Sequence, residues 1–424
     1  MLHKGFLFVS LLAPSMSFAS TATESLSGAT RDLFDRVREN PAAVNDRGDK
    51  SSLRLGKEAG LQLITNAAGY GLGIRAGASQ ELAVVTGSYS VEGAPENFAA
   101  TTTILRKTAE ELARDGLPFV LTLGSTSGDI KWGLELGYQS IKRNEEVITD
   151  TRDSDGKLLA TYTAYYPTYS SGGLSAGMIM GDLEATLSWA KGDWKLGTSQ
   201  STHDGNTATA DKRTVYLEDA VSAQSTTYYN LLTRYQTKGA QWFLDYTQQV
   251  SDLKLWDRND AQTGGTQYDA KDARKAMRLA LGGERNDTLS EGIKLYSKSW
   301  LTYLKFTDND IKTLYEATDT SVSSAHGVEV EAASWVALRA GFQASIVGVT
   351  ESKETVYETA GRKGKSESNT EKSTYVMRSL SSPTMGVGFK FGNYMVDATL
   401  AQDGTGNLGF TEKILGKVEV TAKF

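Results

Sequence analysis

Much of this chain alternates apolar and polar residues with a period of two. A strand sends successive side chains to opposite faces, so such a pattern marks strands with one apolar face. Over Ile130–Lys142, Ile130, Trp132, Leu134, Leu136 and Tyr138 share one parity; Lys131, Gly133, Glu135, Gly137 and Gln139 share the other. The pattern recurs in Leu183, Ala185, Leu187 and Trp189, and again in Met277, Leu279 and Leu281. It returns in Val336, Leu338, Ala340, Phe342 and Ile346, in Met385, Val387, Phe389 and Phe391, and in Ile414, Val418, Val420 and Phe424.

A soluble sandwich also alternates, with its apolar face inside. Three features point instead to a closed barrel with its apolar face outside. The strands read as about 9 to 16 residues, longer than the 5 to 6 usual in soluble sheets. Tight turns alternate with long polar connections, the outer-membrane pattern. The tight turns are read at Lys191-Gly192-Asp193, Lys238-Gly239, Ala333-Ser334 and Gly392-Asn393. The long connections are read at Arg143 to Thr161, Gln200 to Gln224, Asp257 to Lys271, Thr307 to Ser324 and Gly348 to Ser373. Finally, of 7 tryptophans, Trp132, Trp189, Trp194, Trp242 and Trp335 lie near a proposed tight turn, with Tyr394 beside another. That placement predicts an aromatic girdle at the periplasmic interface, with Trp256 near the opposite rim.

Composition removes other classes. No run of about 20 apolar residues exists, so helical spans are excluded. The mean hydropathy of −0.35 averages two strand faces of opposite character. With 0 cysteines there is no disulfide, thiolate metal site or cysteine nucleophile. A net charge of −6 without a basic block excludes nucleic-acid partners. Gly173-Leu174-Ser175-Ala176-Gly177 matches a serine-hydrolase motif, but it lies in a strand pattern with no helix after it. Asp153-Ser154-Asp155-Gly156 and Asp308-Asn309-Asp310 read as turn residues rather than calcium loops. The charge-dense run Glu351 to Lys372 reads as a solvated surface loop. No enzyme activity, metal or cofactor is expected.

The N-terminus reads as an address. Lys4 precedes an apolar stretch from Gly5 to Met16, and Ser17-Phe18-Ala19 offers small residues at a cleavage site. Residues 1–19 therefore read as a secretory signal peptide, cleaved after Ala19. The inward parity carries Lys131, Glu135, Arg234, Asp245, Arg278, Glu284, Glu329, Glu331, Arg339, Lys390, Asp397, Lys417 and Glu419. Signs are mixed, so cross-strand ion pairs are expected along the lumen wall, with Arg234, Arg278, Glu329, Glu331, Arg339 and Lys390 as its candidate residues. Few apolar residues are read on that parity. Asn97 to Asp115, bracketed by Pro95 and Gly116, reads as a helix within an external loop at about 96–116.

After the leader, Leu26, Leu33, Phe34 and Val37 lie on one side of a helical pattern, and Asn40-Pro41-Ala42-Ala43 follows. Near the C-terminus stand two hairpin segments, GVEVEAASWVALRAGFQ (Gly327 to Gln343) and GVGFKFGNYMVDATLAQ (Gly386 to Gln402). Together these resemble the outer-membrane superfamily of long-chain fatty-acid transporters, the FadL-like proteins. The resemblance covers about the first 30 mature residues and the last 100 or so, and matches elsewhere only in pattern. It implies an all-β fold, a single transmembrane antiparallel barrel of about 14 strands (12–16) over 51–424. It also implies that residues 20–50 fold into the lumen as a helical plug. A hydrophobic molecule would bind between plug and wall and leave through a gap in the wall. The plug and pathway candidates are then Leu26, Leu33, Phe34, Val37, Asn40 and Pro41. The count of about 14 assumes one strand in Leu61 to Val91; a hairpin of Leu61–Asn66 with Tyr70–Ala78 raises it to about 16. The terminal Phe424 resembles the aromatic signal read by the barrel assembly machinery, which makes that machinery and outer-membrane lipid the expected partners.

The expected function is passive uptake of small hydrophobic molecules, such as long-chain fatty acids, across a bacterial outer membrane. A general diffusion porin with an open aqueous lumen is the first alternative. A non-transporting structural or surface-loop protein is the second.

Overall fold

The computed structural model describes residues 25–26, 28–47, 51–56, 60–77, 118–142, 145–152, 158–204, 213–257, 266–309, 313–359, 363–380, 383–400 and 415–424. The expected signal peptide and the expected helical loop at about 96–116 lie outside the described residues.

Helix α1 (Leu33–Glu39) and a 3-10 helix (Pro41–Arg47) come first. Then come β1 (Ser52–Gly56), β2 (Gly60–Ala67) and β3 (Tyr70–Ala76). β4 (Phe119–Ser127), β5 (Ile130–Lys142), β6 (Glu145–Arg152) and β7 (Leu158–Met180) follow. β8 (Leu183–Asp204), β9 (Arg213–Gln236), β10 (Gln241–Asp257) and β11 (Thr266–Ser290) continue the meander. β12 (Ile293–Asn309), β13 (Thr313–Ala333), β14 (Val336–Thr359) and β15 (Lys363–Leu380) come next. β16 (Thr384–Phe391), β17 (Tyr394–Leu400) and β18 (Leu415–Lys423) end the chain.

Each strand pairs antiparallel with its neighbours, and β1 pairs with β18, so the sheet closes on itself. β5 and β6 both lie against β7, and β15 and β16 both lie against β14. Those two pairs are interrupted single staves, so the 18 segments make a barrel of 16 strands. The expected count of about 14 is thereby corrected. The difference comes from β2 and β3, which turn at Ala68-Gly69 and form the extra hairpin.

Tight turns at Ala68-Gly69, Gly128-Asp129, Gly181-Asp182, Thr237–Ala240, Glu291-Gly292, Ser334-Trp335 and Gly392-Asn393 gather at one end, with both strand termini of the barrel. The turn expected at Lys191-Gly192-Asp193 is not there. β8 runs straight through it, with Gly192 paired to Ser171 and Thr226. The chain reverses earlier, at Gly181, whose φ of +55° is one that glycine adopts without strain. Lys-Gly-Asp has turn composition, but composition alone does not break a ladder paired on both sides.

The long polar connections are corrected in the same way. β7 to β9 run 23, 22 and 24 residues, β11 runs 25 and β14 runs 24. At about 3.3 Å per residue, the longest spans roughly 80 Å. A membrane strand needs only about 9 to 11 residues, so the ladders continue well past the lipid. Over those extensions the apolar alternation of the sequence stops, so they read as loop. The run Glu351 to Lys372, read as a loop, is mostly the β14–β15 hairpin.

The two faces separate as the parity predicts. Leu134, Leu136 and Tyr138 of β5, with Leu187 of β8, Leu281 of β11 and Leu338 of β14, stand exposed on the outer face. Arg54, Arg75, Arg234, Arg339 and Asp397 are buried on the inner one. A closed barrel that turns its apolar band outward belongs in a bilayer, and this is outer-membrane architecture. Trp242, Trp335, Tyr235 and Tyr394 stand exposed beside the tight turns, as a girdle should. Trp189 is exposed too, but sits within β8 rather than at a turn. The side chains of Trp194 and Trp256 lie outside the described residues.

Candidate functional site

The N-terminal segment meets strands on all sides of the ring. Ser25 accepts a hydrogen bond from Thr384 Oγ1 on β16 at 3.0 Å, and Leu26 packs on Gly327 of β13. Arg31 pairs with Glu284 of β11, and Asp32 with Arg54 of β1. Asn40 donates to the Met178 carbonyl of β7 at 3.2 Å, and Asn45 to the Trp132 carbonyl of β5 at 3.1 Å. One segment that touches so many staves of a closed ring lies within it.

The helical pattern was read from Leu26, but regular helix starts at Leu33. Asp32 caps it, accepting from the Asp35 amide at 3.0 Å, and Asn40 ends it. A helix of 7 residues has little stability of its own, so its position is set by what it touches. Phe34 and Val37 pack with Ala42, Ala43 and Val44 of the 3-10 helix and with Ile64 and Ile179 of the wall; Leu33 packs on that cluster. The Arg54 guanidinium lies 4.2 Å from the centre of the Phe34 ring. Leu26 (2% exposed), Phe34 (5%) and Val37 (2%) are thus spent on seating the segment.

The 3-10 helix docks where the wall has no side chains. A Cβ on Gly133 would overlap the Pro41 carbonyl, and one on Gly177 would overlap the Asn40 amide group. These two glycines let backbone meet backbone. Asn45 adds hydrogen bonds to Ala42 at 2.9 Å and Ser125 at 3.3 Å. This half of the segment is interlocked with β3, β4, β5 and β7.

The other half is held by charge. Glu39 accepts from Arg31 at 2.7 Å and pairs with Arg234 of β9 at 2.9 Å. Arg36 pairs with Asp46 at 2.6 Å, which also pairs with Lys131 at 2.5 Å, and with Glu184 at 3.5 Å. Burial alone would raise the Glu39 carboxyl, but Arg234 and then Arg31 outweigh it and hold it well below the usual carboxylate range. A polar cavity of about 320 Å³ opens beside this half, among Thr30, Arg31, Arg36, Lys238, Gln241 and Arg285.

The wall charges form the expected cross-strand pairs. Arg278 meets Asp245 at 2.8 Å, and Arg339 meets Glu329 at 2.6 Å as well as Asp397. Lys390 meets Glu331 at 3.1 Å, and Lys294 meets Glu329 at 3.4 Å. The inner wall is more apolar than its parity suggested. Phe243, Ala280, Trp300 and Ala325 form one inward cluster with Ala29; Ala276, Leu304, Phe306 and Ala317 form a second. β12 is apolar on both faces here, so alternation hides the inner one. Ser175, from the hydrolase-like motif, donates to Ser188 at 2.9 Å on the neighbouring strand.

Sequence reading missed Arg31, Asp32, Glu39, Asn45 and Lys298. The signal was available for Asp32, a capping residue three before Asp35. Arg31 and Glu39 had none, since their wall partners, Glu284 and Arg234, lie more than 190 residues away.

No known family model matches the chain, and no curated protein matches it. Among solved structures it resembles the CymD monoaromatic hydrocarbon channel, at 9% identity over 96% of this chain and 98% of that one, with a TM-score of 0.35. It resembles the Ralstonia pickettii toluene transporter TbuX at 9% identity over 96% and 97%, with a TM-score of 0.31. A TodX deltaS2S3 mutant, a monoaromatic hydrocarbon channel, is similar at 9% identity over 92% and 94%, with a TM-score of 0.30.

Proposed function

We propose that this chain is a plugged outer-membrane channel for passive uptake of small hydrophobic molecules, and not an enzyme. The observation that supports this most is the seating of residues 25–47 against inner-face residues of many strands. An open porin has no use for a segment so fastened. The inward apolar clusters on β10 to β13 offer a hydrophobic molecule a wall to follow. In this reading the interlocked 3-10 helix is the fixed part of the plug, and the charge-held helix is the part that yields. Residues 1–19 serve as the export leader, and long-chain fatty acids are one candidate cargo class.

Conductance in planar bilayers tests the reading. The full mature chain should show small or intermittent currents, and a variant lacking residues 20–40 should show a steady, large one. A steady, large conductance from the full chain would favour a general diffusion porin instead.

A further inference from the structure

One rung of the inner wall runs Arg234 on β9, Phe243 on β10, Gly282 on β11 and Trp300 on β12. A Cβ on Gly282 would lie 2.6 Å from Phe243 Cζ and 2.7 Å from Trp300 Cβ, so the two aromatic side chains meet across the bare backbone. The next rung toward the tight turns runs Gln241, Glu284, Lys298. The Lys298 Nζ sits 5.0 Å from the Phe243 ring centre and 5.9 Å from that of Trp300, within cation–π range.

Lys298 differs from its neighbours. Arg31 pairs with Glu39 and Glu284, and Arg234 pairs with Glu39. Among the described residues, Lys298 has no ion pair or hydrogen bond; Glu284 and Glu39 act on it only through space. Glu184 and Asp46 are already taken by Arg36 and Lys131. Arg31, Arg234 and Lys298 therefore face Glu39 and Glu284 with one positive charge in excess. Beside the half-buried Lys298, the Nε of Arg234 is fully buried and has no hydrogen-bond partner. Uncompensated charge in such surroundings is costly unless something supplies the counter-charge.

We propose that this is a binding site for a small aromatic monocarboxylate. One excess charge calls for one anionic group, which Lys298 receives with the Arg234 Nε as a second donor. The rings of Phe243 and Trp300 receive a planar ring beside it. Inward Thr302 separates this cluster from Leu304 and Phe306, so the apolar floor here is short and suits a ring better than a chain. The proposal rests on the channel reading only for how the ligand arrives.

Calorimetric titration of the full-length mature protein in nanodiscs tests it, with benzoate, toluene and hexanoate as probes. Benzoate should bind saturably, and about tenfold or more tighter than either neutral toluene or non-aromatic hexanoate. Lys298→Met should lose about tenfold or more for benzoate and leave toluene unchanged, while Lys298→Arg retains benzoate binding. If Lys298→Met does not fold, the three probes on the unaltered protein and on Lys298→Arg decide. No saturable benzoate binding, equal binding of toluene or hexanoate, or an indifferent Lys298→Met would overturn the site. A chain that conducts once residues 20–40 are removed, yet ignores benzoate, loses this site and keeps the channel reading. Benzoate binding without such conduction does the reverse.

Discussion

Glu39 and Arg234 meet at 2.9 Å, one from a helix near the start of the chain and one from the middle of the barrel wall. With Arg31, they form the central ionic hold on the N-terminal segment. Removing one partner of a buried pair leaves the other uncompensated, at about 3–5 kcal/mol. Glu39→Gln should therefore raise the frequency and size of channel openings in planar bilayers. Currents unchanged from the unaltered protein would show that the ion pairs do not restrain the segment.

The same hold sets a pH expectation. A carboxyl with a lowered pKa contributes stability that is present above the ordinary glutamate value, near about 4.3, and lost as pH falls through the folded value. Glu39 is held well below that range by Arg234 and Arg31 against its burial. Closure should persist at about pH 5 and still at about pH 4, where an exposed glutamate is mostly protonated. Planar-bilayer currents at about pH 5 should match those at about pH 7. A steady, large current at the lower pH would contradict the prediction.

The docking glycines make a separate prediction. Gly133→Val places a side chain where the Pro41 carbonyl now lies, so the 3-10 helix must leave. The barrel should still form, since Gly133 is inward and its ladder partners Gly124 and Gly177 stay in place. Limited proteolysis should then cut within residues 40–47, and conductance should rise. Protection equal to that of the unaltered chain would mean that the helix is anchored elsewhere.

Membrane placement is testable at Leu136, which is 59% exposed on the outer face of β5. Leu136→Arg should cost about 2–4 kcal/mol if it lies near the bilayer midplane. Asn286→Arg, on the inward parity beside the polar cavity, should not show that lipid penalty. Urea unfolding in lipid vesicles separates them, and equal costs would argue against this outward face.

The outward face of β5, β8, β11, β14, β16 and β18 was legible in the sequence, because parity such as that from Ile130 to Tyr138 follows directly from a pleated backbone between two solvents. The strand ends were not, because Lys191-Gly192-Asp193 has turn chemistry while pairing on both edges decides its conformation. The seating of Asn40 and Pro41 was approachable only by resemblance. Lys298 stayed hidden because its character comes from Phe243, 55 residues away and one strand beyond the neighbouring one. Charges read as wall pairs, Arg278 and Arg339 among them, were legible because mixed signs on one face leave few other arrangements.

The ring closes where β1 pairs with β18, a seam that Ser51 and Phe424 extend by exchanging backbone hydrogen bonds at 2.8 and 3.0 Å. Until the last strand is made, β1 has no second neighbour and the sheet keeps two bare edges, each able to recruit foreign strands. A chain cut short by even one strand cannot hide either edge. The segment that lies in the lumen precedes every strand of the wall in the chain, so it is available when the last strand closes the ring. A chain that lacks β18 therefore leaves the wall open around the segment inside it.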